Sequence, residues 1–136
     1  MANRLNLELH QVDIKGAYLN GMLNEGEVLY MQHSPRYKSP DARNRMLHLV
    51  KMLYRLKQSG HHWYQKLSSI FLLLSFTCCS VNQAIFYKSD KDKKEHTIVA
   101  VHVNDCTIAA SNTRLVEQLK AGLREHVEVT DLGELH

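Results

Sequence analysis

The chain has 136 residues, of which 44% are hydrophobic and 23% charged. This is the size of one ordinary domain, and its composition argues against a disordered tail, a collagen-like segment, a coiled coil or a pair of catalytic domains. Seventeen Lys and Arg residues against fourteen Asp and Glu residues, together with nine His, permit a polyanionic partner without requiring one.

The location of the protein is predicted from its apolar segments. The longest apolar run covers residues 70–74, far short of the roughly 20 residues that span a bilayer. The amino terminus lacks the apolar core and cleavage site of a signal peptide. We therefore expect an intracellular protein, in the cytoplasm or nucleus, with no membrane partner.

The chain has three cysteines, Cys78, Cys79 and Cys106. Their spacing is not that of a zinc site, and they are interpreted as reduced structural residues.

The first third of the chain predicts short extended segments. Apolar residues alternate between Leu7 and Ala17, which favours a strand. A second short strand is predicted at Val28–Met31. Residues 33–44 contain both prolines and read as a loop. The run Met46–Leu53 is interpreted as extended, although periodicity does not decide its type.

A helix is predicted from residue 61, because five apolar residues recur there with helical spacing. They are Trp63, Leu67, Ile70, Phe71 and Leu74. This spacing places all five on one side of the helix.

Strands are predicted again in the second half of the chain. Residues 85–88 and 97–103 form a predicted hairpin across a charged loop, residues 89–95. A tight turn is predicted at Asn104–Asp105, followed by a strand at 108–110.

A second helix is predicted to begin after Ser111 or Asn112, either of which is a suitable N-cap. Its buried stripe is predicted at Leu115, Val116, Leu119 and Leu123. A final edge strand is predicted at 127–130. This order of elements predicts an α+β fold, with three or four antiparallel strands and two helices packed on one face.

Two acidic residues lie in unusual surroundings. Asp13 is flanked by Val12 and Ile14, and Asp105 lies at the predicted turn. A divalent metal shared by both carboxylates would satisfy them. Alternatively, Asp13 accepts backbone hydrogen bonds and Asp105 is an ordinary turn residue. The pattern alone favours the second interpretation.

Four sequence blocks follow one another over essentially the whole chain. They are Gln11–Gly21, Leu53–Gly60 with Trp63-Tyr64, Val101–Asp105, and Asp131–His136. In order and spacing these blocks resemble the successive palm motifs of copia-type reverse transcriptases of long-terminal-repeat retrotransposons.

The resemblance implies a polymerase palm, an antiparallel sheet that catalyses RNA-directed DNA synthesis with two Mg²⁺ (or Mn²⁺) ions. Asp13 and Asp105 would be metal ligands. Tyr18 would lie under the sugar of the incoming nucleotide, and Gln58 would contact nucleotide and template. The resemblance also implies one truncated domain, residues 1–136, without the start of the fingers, the thumb or ribonuclease H.

The chain departs from the family pattern at functional positions. The family reads Tyr-Val-Asp-Asp where this chain reads His102-Val103-Asn104-Asp105. Asn104 is thus a degenerate form of a metal-binding aspartate, and it removes one negative charge from the site. Arg55 and His61 also stand where the family usually has Gly and Arg. We expect weak Mg²⁺ binding, impaired catalysis, and incomplete recovery in an Asn104→Asp variant.

A basic cluster interleaved with Tyr54, Trp63 and Tyr64 allows binding to RNA or DNA. Its cations are Lys51, Arg55, Lys57 and Lys66. Trp63 itself is expected in the core, because it lies on the apolar helical stripe.

Three functions therefore remain open from the sequence. The first is a catalytically impaired palm retained as a nucleic-acid-binding or protein-binding domain. The second is a weakly active two-metal nucleotidyltransferase. The third is a structural remnant that forms a homodimer or binds another protein through surfaces left open by missing subdomains.

Overall fold

The computed structural model describes residues 7–20, 26, 28–32, 46–50, 58–90 and 92–135. Its strands and helices alternate along the chain in an α+β arrangement. In order they are β1 (Glu8–Ile14), α1 (Ala17–Asn20), β2 (Tyr30–Gln32), β3 (Met46–His48), α2 (Ser59–Leu73), β4 (Thr77–Cys78), β5 (Ile85–Asp90), β6 (Glu95–His102), β7 (Asp105–Ala110), α3 (Thr113–Arg124) and β8 (Val129–Glu134).

Six strands form one sheet in the order β4-β5-β6-β7-β1-β8, and β2 pairs with β3 in a separate two-stranded sheet. Every neighbouring pair is antiparallel. The predicted α+β class is therefore confirmed, with more strands than the three or four expected. One of the additional strands, β4, has two residues, which is too short to produce a recognisable alternation.

The core lies between the sheet and the two longer helices. Alternate residues of the central strands, Val12, Phe86, Val99 and Ile108, are fully buried. They share one cluster with the apolar stripes of α2 and α3. Burying each of these large side chains contributes roughly 1.5–3 kcal/mol. The core therefore fixes which face of each strand is turned toward the helices.

The two long helices begin in different ways. Asn112 caps α3, because its side-chain oxygen accepts a hydrogen bond of 3.1 Å from the backbone N–H of Leu115. Gln58 precedes α2 without a side-chain capping bond, so the buried stripe stabilises that helix. None of the helices in the described part of the chain is long and apolar enough to cross a membrane.

The last strand differs from its prediction. A strand was expected at residues 127–130, but β8 covers Val129–Glu134. Asp131 and Gly133 are poor strand formers. Asp131 is held in the strand by an ion pair of 2.8 Å with Lys120. Gly133 adopts φ +85° where the register against β1 is irregular, a backbone conformation that glycine accepts readily.

The remaining predictions concern short elements of the first half of the chain or residues outside the described ranges. The short helix α1 follows β1 directly and was not predicted, because four residues carry no helical period. β2 overlaps the strand predicted at Val28–Met31 and extends one residue beyond it, and β3 occupies part of the run predicted to be extended at Met46–Leu53. The loop predicted at residues 33–44 and the continuation at 51–53 lie outside the described residues.

Candidate functional site

Asp13 and Asp105 face away from the helices. Side chains of a strand alternate between its two faces, and the neighbours Val12 and Ile14 are buried on the helix side. Asp13 therefore points to the opposite, open face of the sheet. Asp105 does the same, because Cys106 is the buried neighbour. The register pairs Asp13 directly with Asp105, so the sheet brings together two carboxylates that are far apart in the sequence.

Each carboxylate of this pair has an amide as its partner. The Asn104 side chain donates a hydrogen bond from Nδ2 to Oδ1 of Asp13. Gln11, two residues before Asp13 on the same face, donates from Nε2 to Oδ1 of Asp105 at 3.4 Å. Like charges directly opposite each other on neighbouring strands are destabilising. The two amide donors offset part of that repulsion.

Gln11 was not singled out by the sequence analysis. Its position two residues before Asp13 is the one signal that could have placed it on the same face.

Val103 and Asn104 form the turn between β6 and β7. The ladder ends with His102 paired to Asp105, so the prediction of a turn at Asn104–Asp105 was one residue too late. Val103 has φ +58°, a conformation that β-branched residues rarely adopt. The Asn104 carbonyl accepts a hydrogen bond of 2.8 Å from the backbone N–H of Ile14. Contact with β1 therefore helps to fix the turn.

Trp63 reaches the same turn from the core. Its side chain is 3% exposed, which confirms its expected burial on the α2 stripe. The indole N–H donates a hydrogen bond of 2.6 Å to the Val103 carbonyl. The hydrogen bond could not be predicted, because it depends on where the helix lies relative to a strand turn.

Tyr18 and the turn line a common cavity of about 340 Å³. Tyr18 lies on α1 and is half-buried. Trp63 and Val103 contribute to the same wall, and Gly60 lies next to the Tyr18 ring, where an added Cβ would be 4.0 Å from Cε1. The structure therefore places Tyr18 on the same cavity as Val103, the first residue of the turn.

The other residues predicted to bind nucleotide or nucleic acid are Gln58 and the basic cluster. Gln58 directly precedes α2 and is half-buried. Lys66 lies on α2 and is also half-buried. Lys51, Arg55 and Lys57 lie outside the described residues. Of the basic cluster, the structure thus describes Lys66.

The acidic pair influences the residue beneath it. Burial raises the pKa of the Cys106 thiol to about 12, and the negative charges of Asp105 and Asp13 add to the effect. Lys15, directly after β1 and two residues after Asp13, pairs with Glu128 at 2.7 Å. This hydrogen bond and the opposite charge raise the pKa of Lys15.

The donor set tests whether a divalent cation fits. Mg²⁺ prefers oxygen ligands, carboxylates above all. Asp13 and Asp105 supply two, but the Asn104 amide directs an N–H donor at Asp13, where a cation would need a lone pair. Within the described ranges, no group of three or more His, Cys, Asp or Glu side chains could hold a metal ion. The residues as arranged fit a divalent ion poorly.

Fold and site together define a class: an α+β domain whose antiparallel sheet carries an acidic pair beside a hairpin turn. A family model described as reverse transcriptase (RNA-dependent DNA polymerase) matches residues 1–136. The chain therefore belongs to the reverse transcriptase family, and the resemblance to copia-type members is confirmed.

Similar proteins are encoded by transposons. The chain is 28% identical over 133 residues to the retrovirus-related Pol polyprotein from transposon TNT 1-94 of Nicotiana tabacum, covering 98% of the chain and 10% of the relative. It is 29% identical over 133 residues to the transposon Ty1-DR4 Gag-Pol polyprotein of Saccharomyces cerevisiae, covering 95% and 8%. The chain thus spans a tenth or less of the length of these relatives. No solved structure matches it.

Proposed function

We propose that the chain is the palm region of a copia-type reverse transcriptase whose nucleotidyl transfer is impaired by Asn104, and that it acts by binding nucleic acid. Family membership and the direct pairing of Asp13 with Asp105 support the palm assignment. In this proposal Asp13 and Asp105 occupy metal-binding positions, Asn104 is the degenerate position, and Tyr18 and Gln58 lie toward the nucleotide.

The observation that carries the proposal is the hydrogen bond from Asn104 to Asp13. Reverse transcriptases use divalent metals, which compensate the charge of the transferring phosphate. An amide at position 104 lacks the negative charge of a carboxylate and occupies a lone pair of Asp13. Both effects weaken cation binding, so we propose that polymerisation is lost or barely detectable.

Binding to RNA or DNA is supported by the open face of the sheet. This face carries polar residues that extend from the acidic pair, including Gln11, Thr107 and Thr130, all half-buried. The formal net charge of +3 permits a polyanionic partner. In this proposal the basic cluster, Lys51, Arg55, Lys57 and Lys66, supplies phosphate contacts in addition to the open face, since Lys66 lies on α2, on the other side of the sheet.

A second candidate function, binding to a protein or to another copy of the chain, is favoured by the β2–β3 pair. All six of its residues are exposed, and Tyr30 and Met46 are 63% and 64% exposed. A two-stranded sheet of this length is marginally stable alone, so a covering partner would stabilise it.

Primer extension tests the loss of activity. The chain, an Asn104→Asp variant and an Asp13→Asn variant are assayed on RNA and DNA templates with Mg²⁺ and with Mn²⁺. We expect the unmodified chain to extend no more primer than Asp13→Asn, which removes a carboxylate of the acidic pair. Extension clearly above that control would overturn the proposed impairment.

Fluorescence anisotropy tests the proposed binding function. Labelled single-stranded RNA, single-stranded DNA and an RNA–DNA duplex are titrated with the chain at several salt concentrations. We expect affinity to fall as salt rises, because phosphate contacts release counterions. A Lys51→Ala/Lys57→Ala variant should bind more weakly with a smaller salt dependence. Equal binding by the variant and the unmodified chain would remove the basic cluster from the proposal, and sedimentation of a dimer would favour the second function.

A further inference from the structure

The turn that carries Asn104 adopts a conformation that its own sequence disfavours. Val103 is β-branched and has φ +58°, a region in which glycine and asparagine are the usual residues. Residues remain in such conformations only where their surroundings over-determine them. The pairing of His102 with Asp105 leaves a two-residue turn whose first residue takes positive φ, and contacts from outside the hairpin add to this constraint.

Three hydrogen bonds reach the turn from two directions. From β1, the Ile14 N–H donates to the Asn104 carbonyl at 2.8 Å, and the Asp13 carboxylate accepts from the Asn104 side chain. From α2, the Trp63 indole N–H donates to the Val103 carbonyl at 2.6 Å. The bond from Trp63 acts directly on the strained residue.

Trp63 is suited to hold the turn because it cannot easily move. Its side chain is 3% exposed and belongs to the hydrophobic core. Its single donor is used on the Val103 carbonyl, so the position of that carbonyl is tied to the position of α2. Rotation of the peptide after Val103 would break this bond and change the backbone conformation of Asn104, whose side chain donates to Asp13.

We propose that Trp63 is a positioning residue for the acidic site: its indole N–H fixes the Val103 conformation and thereby aims the residue at position 104 toward Asp13. In this proposal Trp63 acts on the carboxylates through the turn. The importance of this alignment for nucleotide chemistry rests on the proposed function, whereas the alignment itself can be measured without any activity.

The chain offers a matched control in the next residue of the same helix. The Tyr64 hydroxyl donates a hydrogen bond of 3.0 Å to the Gln83 carbonyl. Tyr64 and Trp63 are thus neighbouring aromatic residues of α2 that each donate to a main-chain carbonyl, in different loops. A Phe at either position keeps an aromatic ring and removes the donor.

The first measurement uses the unmodified protein. Trp63 is the single tryptophan, so its indole N–H gives one resonance in a nitrogen–proton correlation spectrum. We expect slow exchange with water and a scalar coupling across the hydrogen bond to the Val103 carbonyl carbon. Fast exchange, or a coupling to a different carbonyl, would overturn the proposal even if no variant folds.

The second measurement compares Trp63→Phe with Tyr64→Phe by amide hydrogen exchange. The Ile14 amide reports on the turn, because it donates to Asn104. The Val101 amide reports on the other loop, because it donates to the carbonyl of Ala84 at 2.8 Å. We expect Trp63→Phe to speed exchange of the Ile14 amide roughly fivefold relative to Val101, the factor for one lost hydrogen bond.

The Asn104 side-chain resonances complete the test. In Trp63→Phe they should move toward the values of a free amide, whereas in Tyr64→Phe they should remain unchanged. If both variants speed exchange at Ile14 and Val101 by the same factor, and neither moves the Asn104 resonances, Trp63 is a core residue only and the proposal is wrong. None of these readouts depends on polymerase activity, so failure of the proposed function is recognised separately.

Discussion

The two faces of the β1–β7 strand pair differ sharply although they share one backbone. On the helix side Val12 and Cys106 are fully buried, while the adjacent residues Asp13 and Asp105 face the open side. The inner positions are determined by apolar burial, whereas the outer positions are free to carry charge. A strand pair can therefore hold a rigid core and an acidic site at adjacent positions, and the two can change independently.

The test with the largest expected effect on stability compares two neighbouring residues of β7. Ile108 is fully buried, whereas Thr107 faces the open side. Ile108→Ala should lower the free energy of unfolding by about 2–5 kcal/mol because it creates a core cavity. Thr107→Ala should change it by about 0.5 kcal/mol or less. Urea denaturation followed by Trp63 fluorescence measures both, and equal losses would show that the faces do not differ in this way.

A second test asks why the inner side tolerates a charge at Lys120. This side chain is 2% exposed, and its Nζ lies 2.8 Å from Asp131 and 3.2 Å from Glu117. Lys120→Met should lower the free energy of unfolding by about 1–3 kcal/mol, because it removes the buried cation and leaves the carboxylates of Asp131 and Glu117 without this partner. Lys93→Met is the control, since Lys93 is 65% exposed and 3.9 Å from Asp90, and it should have little effect.

The ion pair between Lys120 and Asp131 makes the free energy of unfolding depend on pH. The hydrogen bond from Lys120 lowers the pKa of Asp131 below the usual 3.8. The stabilisation from Asp131 is therefore present above pH 3.8 and is lost as the pH falls through the lowered value. Burial lowers the pKa of Lys120, but Asp131 and Glu117 outweigh it and raise the pKa above 10.5. That contribution is full below pH 10.5 and is lost at higher pH. Lys120→Met should reduce the loss of stability both at low pH and at high pH. A pH dependence of the free energy of unfolding that is the same in the variant and the unmodified chain would contradict the assignment.

A third test adds charge to the outer face. Asn104→Asp replaces a hydrogen-bond donor to Asp13 with a third carboxylate, which should lower the free energy of unfolding by about 1–2 kcal/mol without divalent ions. Mg²⁺ should raise the melting temperature of this variant and leave that of the unmodified chain unchanged. Asn82→Asp adds the same charge in an exposed loop and serves as the control. Equal Mg²⁺ effects in all three proteins would argue against a latent cation site.

The last test, thiol labelling, compares the buried Cys106 of β7 with the half-buried Cys79, which follows β4. Hydrogen bonds from the backbone of Asn82 and Val81 lower the pKa of Cys79, whereas burial raises that of Cys106 to about 12. Because the thiolate is the reactive form, iodoacetamide near pH 7.5 should label Cys79 and leave Cys106 unmodified until the protein is denatured. Peptide mass spectrometry measures this, and labelling of native Cys106 would contradict its burial.

Much of the fold could be predicted where one physical signal dominates. The spacing of Trp63, Leu67 and Phe71 predicted α2 to within two residues of its start, because a buried apolar stripe is a local pattern. β8 was misplaced because its stability comes from pairing with β1 and from the ion pair to Lys120. Neither contact leaves a periodic trace in residues 129–134.

The site was predictable only in part. Nothing in the local pattern links Asp13 to Asp105, and the resemblance to reverse transcriptases supplied their association. The register then placed them opposite each other. The bonds from Gln11 and Trp63 join residues of different elements, so they depend on packing geometry that a single sequence does not express.

The position of β1 in the sheet has a consequence for how the chain folds. β5, β6 and β7 are consecutive and can pair as local hairpins, but β1 pairs with β7 and β8, which follow it by most of the chain length. Such non-local pairing raises the contact order, and high contact order slows folding. We therefore expect the acidic pair to assemble late, because Asp13 and Asp105 meet only when β1 docks, and until then β7 presents an unpaired edge to other chains.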